Sequence, residues 1–522
     1  MMRKTLFCLG LVGLTTAYLG APLQADVVPA FVFGDNAVLQ RDKPIPVWGT
    51  ADGGEKVTVS FSGQTANTTA DAAGKWRVDL PALPANATPA NMVIKGKNTV
   101  TRTNILVGEV WLASGQSNME QRVRETFDSA LDIAGSARYP MIRELRPDTK
   151  TSYTPLSTST GSWKVAGPET TGEFSAIGYH YALTLYNVLN VPVGIINTSQ
   201  GASKISTWMN LPTLQSDPYY AGILEEGRKK IAEYPAVKIK LDADVKKWEA
   251  DKAAAEAAKT PFTTPRPGPG WAGTTGGPDD RFLPSTFYNG MINPLLPYAL
   301  RGVIWYQAEG DAGLVEYYAK AFPALITSWR TAFGQGDIPF YWVQLSAYGD
   351  NKWNDGLIWP LMREAQGKAL SLPNTGQAIS FDLGEPQNIH PQRKQEIGRR
   401  LARIALNRTY GHKQIVDTGP TVDKIEREGA GFRVRFKSPN GWPVFAPLTL
   451  PISGFELAGE DKVFKPAVAA VGDRNTSILV TSAEVPNPVA VRYGWRDFPN
   501  ASLVHNTQGL PVEQFRSDNW PR

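Results

Sequence analysis

The chain is poor in the residues that most often build reactive centres. One cysteine occurs in 522 residues, and it is Cys8. Around it, Arg3 and Lys4 precede the apolar run Leu6 to Leu19, with small residues at Gly20, Ala21 and Ala25. That pattern predicts a secretory signal peptide over residues 1–25, cleaved near Ala25. The mature chain then has no cysteine, which excludes disulfides and thiolate metal sites. Histidine is scarce too: His180, His390, His412 and His505 are all there are. Neither their number nor their spacing suits a metal hydrolase, so no metal or cofactor is expected. Long basic runs are missing; the net charge of +5 is dispersed, which argues against a nucleic-acid partner. Beyond the leader no apolar run is long enough to cross a membrane. Export without disulfides fits a bacterial periplasmic or secreted protein.

What is present is the material of a globular protein, 42% apolar and 20% charged, long enough for about three domains. Residues 26–105 read as an N-terminal β-sandwich, with Val57-Thr-Val-Ser-Phe61 alternating and Gly74 to Leu80 following a turn. Residues 106–410 change to strand–helix alternation. Apolar runs at Val110–Ala113, Val193–Asn197, Val303–Tyr306, Phe340–Leu345 and Ala378–Phe381 each end in polar or glycine residues. Helical patterns lie between them at Phe174–Leu189, Val315–Phe333, Ile358–Leu370 and Lys394–Ala405. This predicts an α/β fold, a parallel sheet flanked by helices, with ligands bound at the carboxyl ends of the strands. A charged stretch and a Pro/Gly-rich stretch, about 218–278, interrupt it and predict one or two exposed helices and a loop. Residues 411–522 return to β patterns and predict a C-terminal β-sandwich.

The strand ends collect the chemistry. Ser117 follows the run ending at Ala113 and precedes a helix-compatible segment, so its N–H can face a developing negative charge. A nucleophilic serine needs a base. His390 alone among the histidines stands just after a sheet strand, and Pro391 keeps it out of helix. Behind it, Glu385 and Asp382 are the candidate orienting acids, with a backbone carbonyl as the alternative. The N–H groups of Ser117 and Gly201 are candidate oxyanion donors, because a bare glycine lets a substrate approach closely. Gln307 has a side-chain N–H to add. A retaining glycosidase built on Glu309 and Glu385 would leave Ser117 and Gly201 without a role.

These blocks resemble a known family. Gly108-Glu-Val-Trp-Leu-Ala-Ser-Gly-Gln-Ser-Asn-Met119, Asn197-Thr-Ser-Gln-Gly-Ala-Ser203 with Trp208, Gly302-Val-Ile-Trp-Tyr-Gln-Ala-Glu-Gly-Asp311, and Ile389-His-Pro391 with Lys394 are similar to the blocks of sialate O-acetylesterase-like carbohydrate esterases of the SGNH hydrolase superfamily. The resemblance implies an SGNH-type sheet and removal of O-acetyl groups from sugars, with Ser117 as nucleophile and His390 as base. Four features depart from the family pattern, one of them the long insertion at about 218–278. Ala308 replaces a glycine; Asp311 stands where an asparagine is common and, unless protonated, cannot donate as an amide does; Gln387 occupies the usual acid position. The third oxyanion donor therefore moves to Gln307. Asn118, Glu309, Asp311, Trp208 and Trp353 are the expected substrate contacts, and one or two of Trp208, Trp305, Trp342, Trp353 and Trp359 are expected to stack on sugar. The implied partner is an acetylated carbohydrate, from plant polysaccharide or sialoside. A glycan-binding protein on a decayed esterase scaffold is the alternative from another class.

Overall fold

The computed structural model describes residues 26–268, 276–278, 280–349, 351–437, 452–472, 476–499, 505–506 and 508–520; the expected leader lies outside them. The N-terminal part has two groups of strands. Ile45–Thr50 pairs with Val28–Pro29 and Lys75–Leu80, and Lys56–Phe61 pairs with Gln64–Thr69 and Asn86–Lys95. Alternation decides which side chains turn inward: Trp76, Val78 and Leu80 from one group, Val57, Val59 and Phe61 from the other.

One strand, Thr99–Gly115, carries the chain from this part into the next. Its first six residues alternate in exposure, and everything from Ile105 onward is buried. The change marks the passage from a sheet with one wet face to a sheet covered on both. The division expected between residues 105 and 106 thus falls inside a continuous strand, with no linker. The second sheet runs in the order Gly161–Val165, Ile142–Pro147, Val193–Asn197, Thr99–Gly115, Gly302–Tyr306, Phe340–Val343, Thr375–Ala378. All these pairings are parallel except that of the first strand. The last strand is Thr375–Ala378, not Ala378–Phe381; residues Phe381–Leu383 form a 3-10 turn.

Strand parity assigns the large side chains to two helical layers. Trp111 and Tyr341 lie on one face, where Trp111 meets Tyr181 of the helix Ala176–Leu189. Gly398 brings the helix Lys394–Arg408 close to that helix: a Cβ there would sit 2.9 Å from the Ile177 carbonyl. Trp305, Phe340 and Trp342 point the other way, onto Phe322 and Trp329 of the helix Val315–Phe333. The indoles of Trp208, Trp305 and Trp342 are therefore core, and Trp359 is buried as well. That corrects the expected sugar-stacking role for these four. Trp353 belongs to a 3-10 turn, and its side chain lies outside the described residues.

Among the described residues the interruption forms one α-helix, Ala221–Ala257, of 37 residues with only Gly227 buried. Lys230–Glu226, Lys238–Asp242, Lys247–Asp251 and Lys252–Glu256 pair one turn apart along it. The C-terminal part is one antiparallel sheet of seven strands, among the described residues, and not the expected sandwich of two. It docks on Arg363, which is fully buried and donates to the carbonyls of Arg496 and Asp497 and to Gln514.

Candidate active site

The long strand ends beside Tyr306, whose carbonyl accepts from Gln116 N–H at 2.9 Å. Gly115 makes that approach possible: its φ is +127°, and a Cβ would lie 2.1 Å from the Tyr306 oxygen. The chain turns there into the short helix Ser117–Glu120. The Ser117 N–H has no acceptor among the described residues. Ser117 Oγ lies 2.8 Å from His390 Nε2, a hydrogen bond between residues 273 positions apart.

The histidine loop is tied to the serine element. Asn118 Nδ2 donates to the Ile389 carbonyl at 3.0 Å and also to Glu309, and Asn118 Oδ1 accepts from Lys394 Nζ at 2.5 Å. Asn118 and Lys394 are buried. Each polar atom of the Asn118 side chain is thus occupied within the protein, so Asn118 acts here as a brace, not as the expected substrate contact, and Glu309 shares in that brace through Oε1.

Neither expected acid reaches the imidazole. Asp382 makes a two-pronged pair with Arg400, both bonds 2.6 Å. The 3-10 turn at Phe381–Leu383 aims it at the helix Lys394–Arg408 instead of the loop beyond. Glu385 folds back through a bridge with Asn388 and accepts from Asn388 Nδ2 at 3.0 Å and Gln392 N–H at 2.7 Å. It clamps the two sides of the loop around His390, whose own N–H bonds Asn388 Oδ1 at 3.0 Å. Among the described residues no carboxylate accepts from His390 Nδ1. The pair is a serine–histidine dyad in this structure.

Burial holds the His390 pKa below its ordinary 6.5, and Lys394 pushes it the same way; Glu125 and Glu120 oppose. Lys394 is itself lowered by burial to about 7, against the pull of Glu309 and Glu385. Burial raises Glu309.

Gln307 does not face the serine. Its Nε2 donates to the Ser203 carbonyl at 3.1 Å and to Asp311 Oδ2 at 2.6 Å, which leaves no hydrogen for an oxyanion. Asp311 also accepts from Ile205 N–H at 2.8 Å, and burial raises it to about 6. An acceptor is what this buried position uses, so Asp311 and Gln307 organise the loop after the Gly302–Tyr306 strand. Trp208 donates to Ser203 Oγ at 2.8 Å and stacks on Phe287. Gly201 does approach Ser117: a Cβ on it would lie 3.5 Å from the Ser117 Cβ. Thr198 and Gln200 hold it there by donating to the Ala113 and Gly115 carbonyls. Its N–H, however, is given to Glu120 Oε2 at 2.6 Å, while Arg146 holds Glu120 Oε1 at 2.5 Å. Sequence reasoning passed over Glu120 and Arg146. The available signal was position: Glu120 lies three residues after Ser117, on the same helical face.

A serine and a histidine at hydrogen-bond distance, beside backbone N–H groups, are chemically suited to attack on an ester carbonyl. The chain belongs to the sialate O-acetylesterase-like carbohydrate esterases, hydrolases acting on ester bonds. The profile of the family described as carbohydrate esterase, sialic acid-specific acetylesterase, matches residues 275–407. The chain is 33% identical to a carbohydrate acetylesterase from Xanthomonas citri, covering 95% of this chain and 100% of that one with a TM-score of 0.78. It is 28% identical to the sialate O-acetylesterase of Mus musculus, over 92% of each chain. With that of Homo sapiens the identity is 26%, over 93% of this chain and 91% of the other.

Proposed function

We propose that this protein removes O-acetyl groups from carbohydrate through an acetyl-serine intermediate, on an SGNH-type sheet. The observation that carries this reading is the 2.8 Å contact between Ser117 Oγ and His390 Nε2. Ser117 Oγ attacks the acetyl carbonyl as its proton passes to Nε2. The negative oxygen of the tetrahedral intermediate takes hydrogen bonds from the Ser117 N–H and the Gly201 N–H. Collapse breaks the bond to the sugar oxygen, which leaves with the proton from Nε2. Water then loses a proton to Nε2 and attacks the acyl carbon, and acetate and free Ser117 result. The depressed His390 pKa suits this role, because a lower value leaves more of the ring neutral at a given pH.

The substrate class follows from the family and from the carbohydrate acetylesterase similarity. The leader expected over residues 1–25 supports a reaction outside the cytoplasm, and among the described residues no helix is long and apolar enough to cross a membrane. Quenching the enzyme during turnover of an activated acetyl ester tests the intermediate. The peptide bearing Ser117 gains one acetyl group in this reading; an acetyl group on another residue, or none, rejects it.

A further inference from the structure

Glu120 occupies the place where an oxyanion would be received. Its Oε2 takes the Gly201 N–H at 2.6 Å, and its Oε1 is held by Arg146 at 2.5 Å. It rises from the same helical turn as Ser117, and the Gly201 position that it touches also borders the Ser117 Cβ. A carboxylate and an oxyanion cannot share one N–H: two negative charges at contact distance repel strongly in a partly shielded site. The Gly201 donor must therefore be released before the ester can react there. Release needs a replacement donor, since a carboxylate oxygen stripped of its hydrogen bond loses much of its stabilisation. Arg146 is already engaged on the other oxygen. Beyond it lies an open cleft lined by Arg122, Arg146, Asp148, Lys164, Glu169 and Glu173, dense in groups that hydrogen-bond hydroxyls.

We propose that Glu120 is a specificity-determining residue, closing the Gly201 donor until a sugar hydroxyl next to the acetyl group takes over its hydrogen bond. This rests on the deacetylase reading above. A sugar ester brings such a hydroxyl, and docking it on Glu120 opens the oxyanion site in the same event. An aryl acetate brings none and meets a closed site. Arg146 is the positioning residue, keeping the carboxylate within reach of both states.

The test uses the full chain and three esters: 4-nitrophenyl acetate, a glycoside monoacetate with a free neighbouring hydroxyl, and the same monoacetate with that hydroxyl methylated. Wild type is expected to prefer the free hydroxyl to the methylated one by about tenfold or more in kcat/KM, the usual scale for a hydrogen bond to a charged group. In Glu120→Ala the preference is lost, and 4-nitrophenyl acetate is cleaved faster than by wild type. Glu120→Gln keeps the shape without the charge, and moves all three rates in the same directions by less. Parallel loss on all three esters in both variants, or an undiminished preference for the free hydroxyl, overturns the inference while leaving the deacetylase reading in place. A folded wild type that cleaves none of the three overturns both.

Discussion

Asn118 donates its side-chain amide to the carbonyl of Ile389 at 3.0 Å, so the residue after the serine holds the residue before the histidine. Lys394 fixes that amide from behind through Asn118 Oδ1. The separation of Ser117 and His390 is thereby set by one buried side chain. Asn118→Ala is expected to lower kcat by roughly a hundredfold, the scale of an ångström-sized misplacement. KM changes little, while stability falls because the buried Lys394 and Glu309 each lose a hydrogen-bond partner. Steady-state kinetics with a melting curve check this; an unchanged kcat would refute the brace.

The pH profile carries the sign of the electrostatics. His390 works as a neutral base, so the rate falls as pH drops through its pKa, which burial and Lys394 hold below 6.5. The acidic limb of kcat/KM for wild type therefore lies below that value. Lys394→Met removes the cation that disfavours the imidazolium. The His390 pKa rises, and the limb moves to higher pH. A variant with a lower kcat and an unmoved limb would give Lys394 a packing role alone.

Asp382 is expected to matter for stability and not for chemistry. Arg400 and Asp382 are 5% and 8% exposed, and Asp382→Ala leaves the buried guanidinium with Glu396 and the Ile379 carbonyl alone. The loss is about 1–3 kcal/mol in unfolding free energy, since Glu396 still faces the guanidinium. The folded fraction keeps a kcat close to wild type, whereas loss of a triad acid lowers kcat by ~10⁴-fold. Denaturant melts and active-site titration separate the two.

Much of this architecture is written locally. Helix period places Val315–Phe333, and the switch from alternation to continuous burial places the turning point of Thr99–Gly115. Both patterns record the faces an element covers, and burial is the strongest force on sequence. Where burial involves polar groups the signal fails. The strand Ile142–Pro147 carries Arg143 and Glu144, both buried, with Glu144 satisfied by Ser175 N–H and Asn197. No apolar run marks it. Thr375–Ala378 is likewise buried with a glutamine inside, whose amide bonds Glu513 from the loop before the last C-terminal strand.

The site divides in the same way. Ser117 and His390 each follow the end of a sheet strand, and that position is visible in one dimension. What a side chain does there is not. Asp382 and Glu385 are near His390 in sequence, but a 3-10 turn and a tight bridge send them to Arg400 and Gln392. Gln307 looks like a spare donor until Ser203 and Asp311 are folded against it. Partners 4 to 104 residues away decided these roles.

The central claim is that Ser117 receives the acetyl group. Acetate release from an acetylated glycan by wild type and by Ser117→Ala, both shown to be folded, measures it directly. Steady release is expected from wild type, with a fall of roughly a million-fold, to assay background, in the variant. Release at the wild-type rate by Ser117→Ala would contradict it.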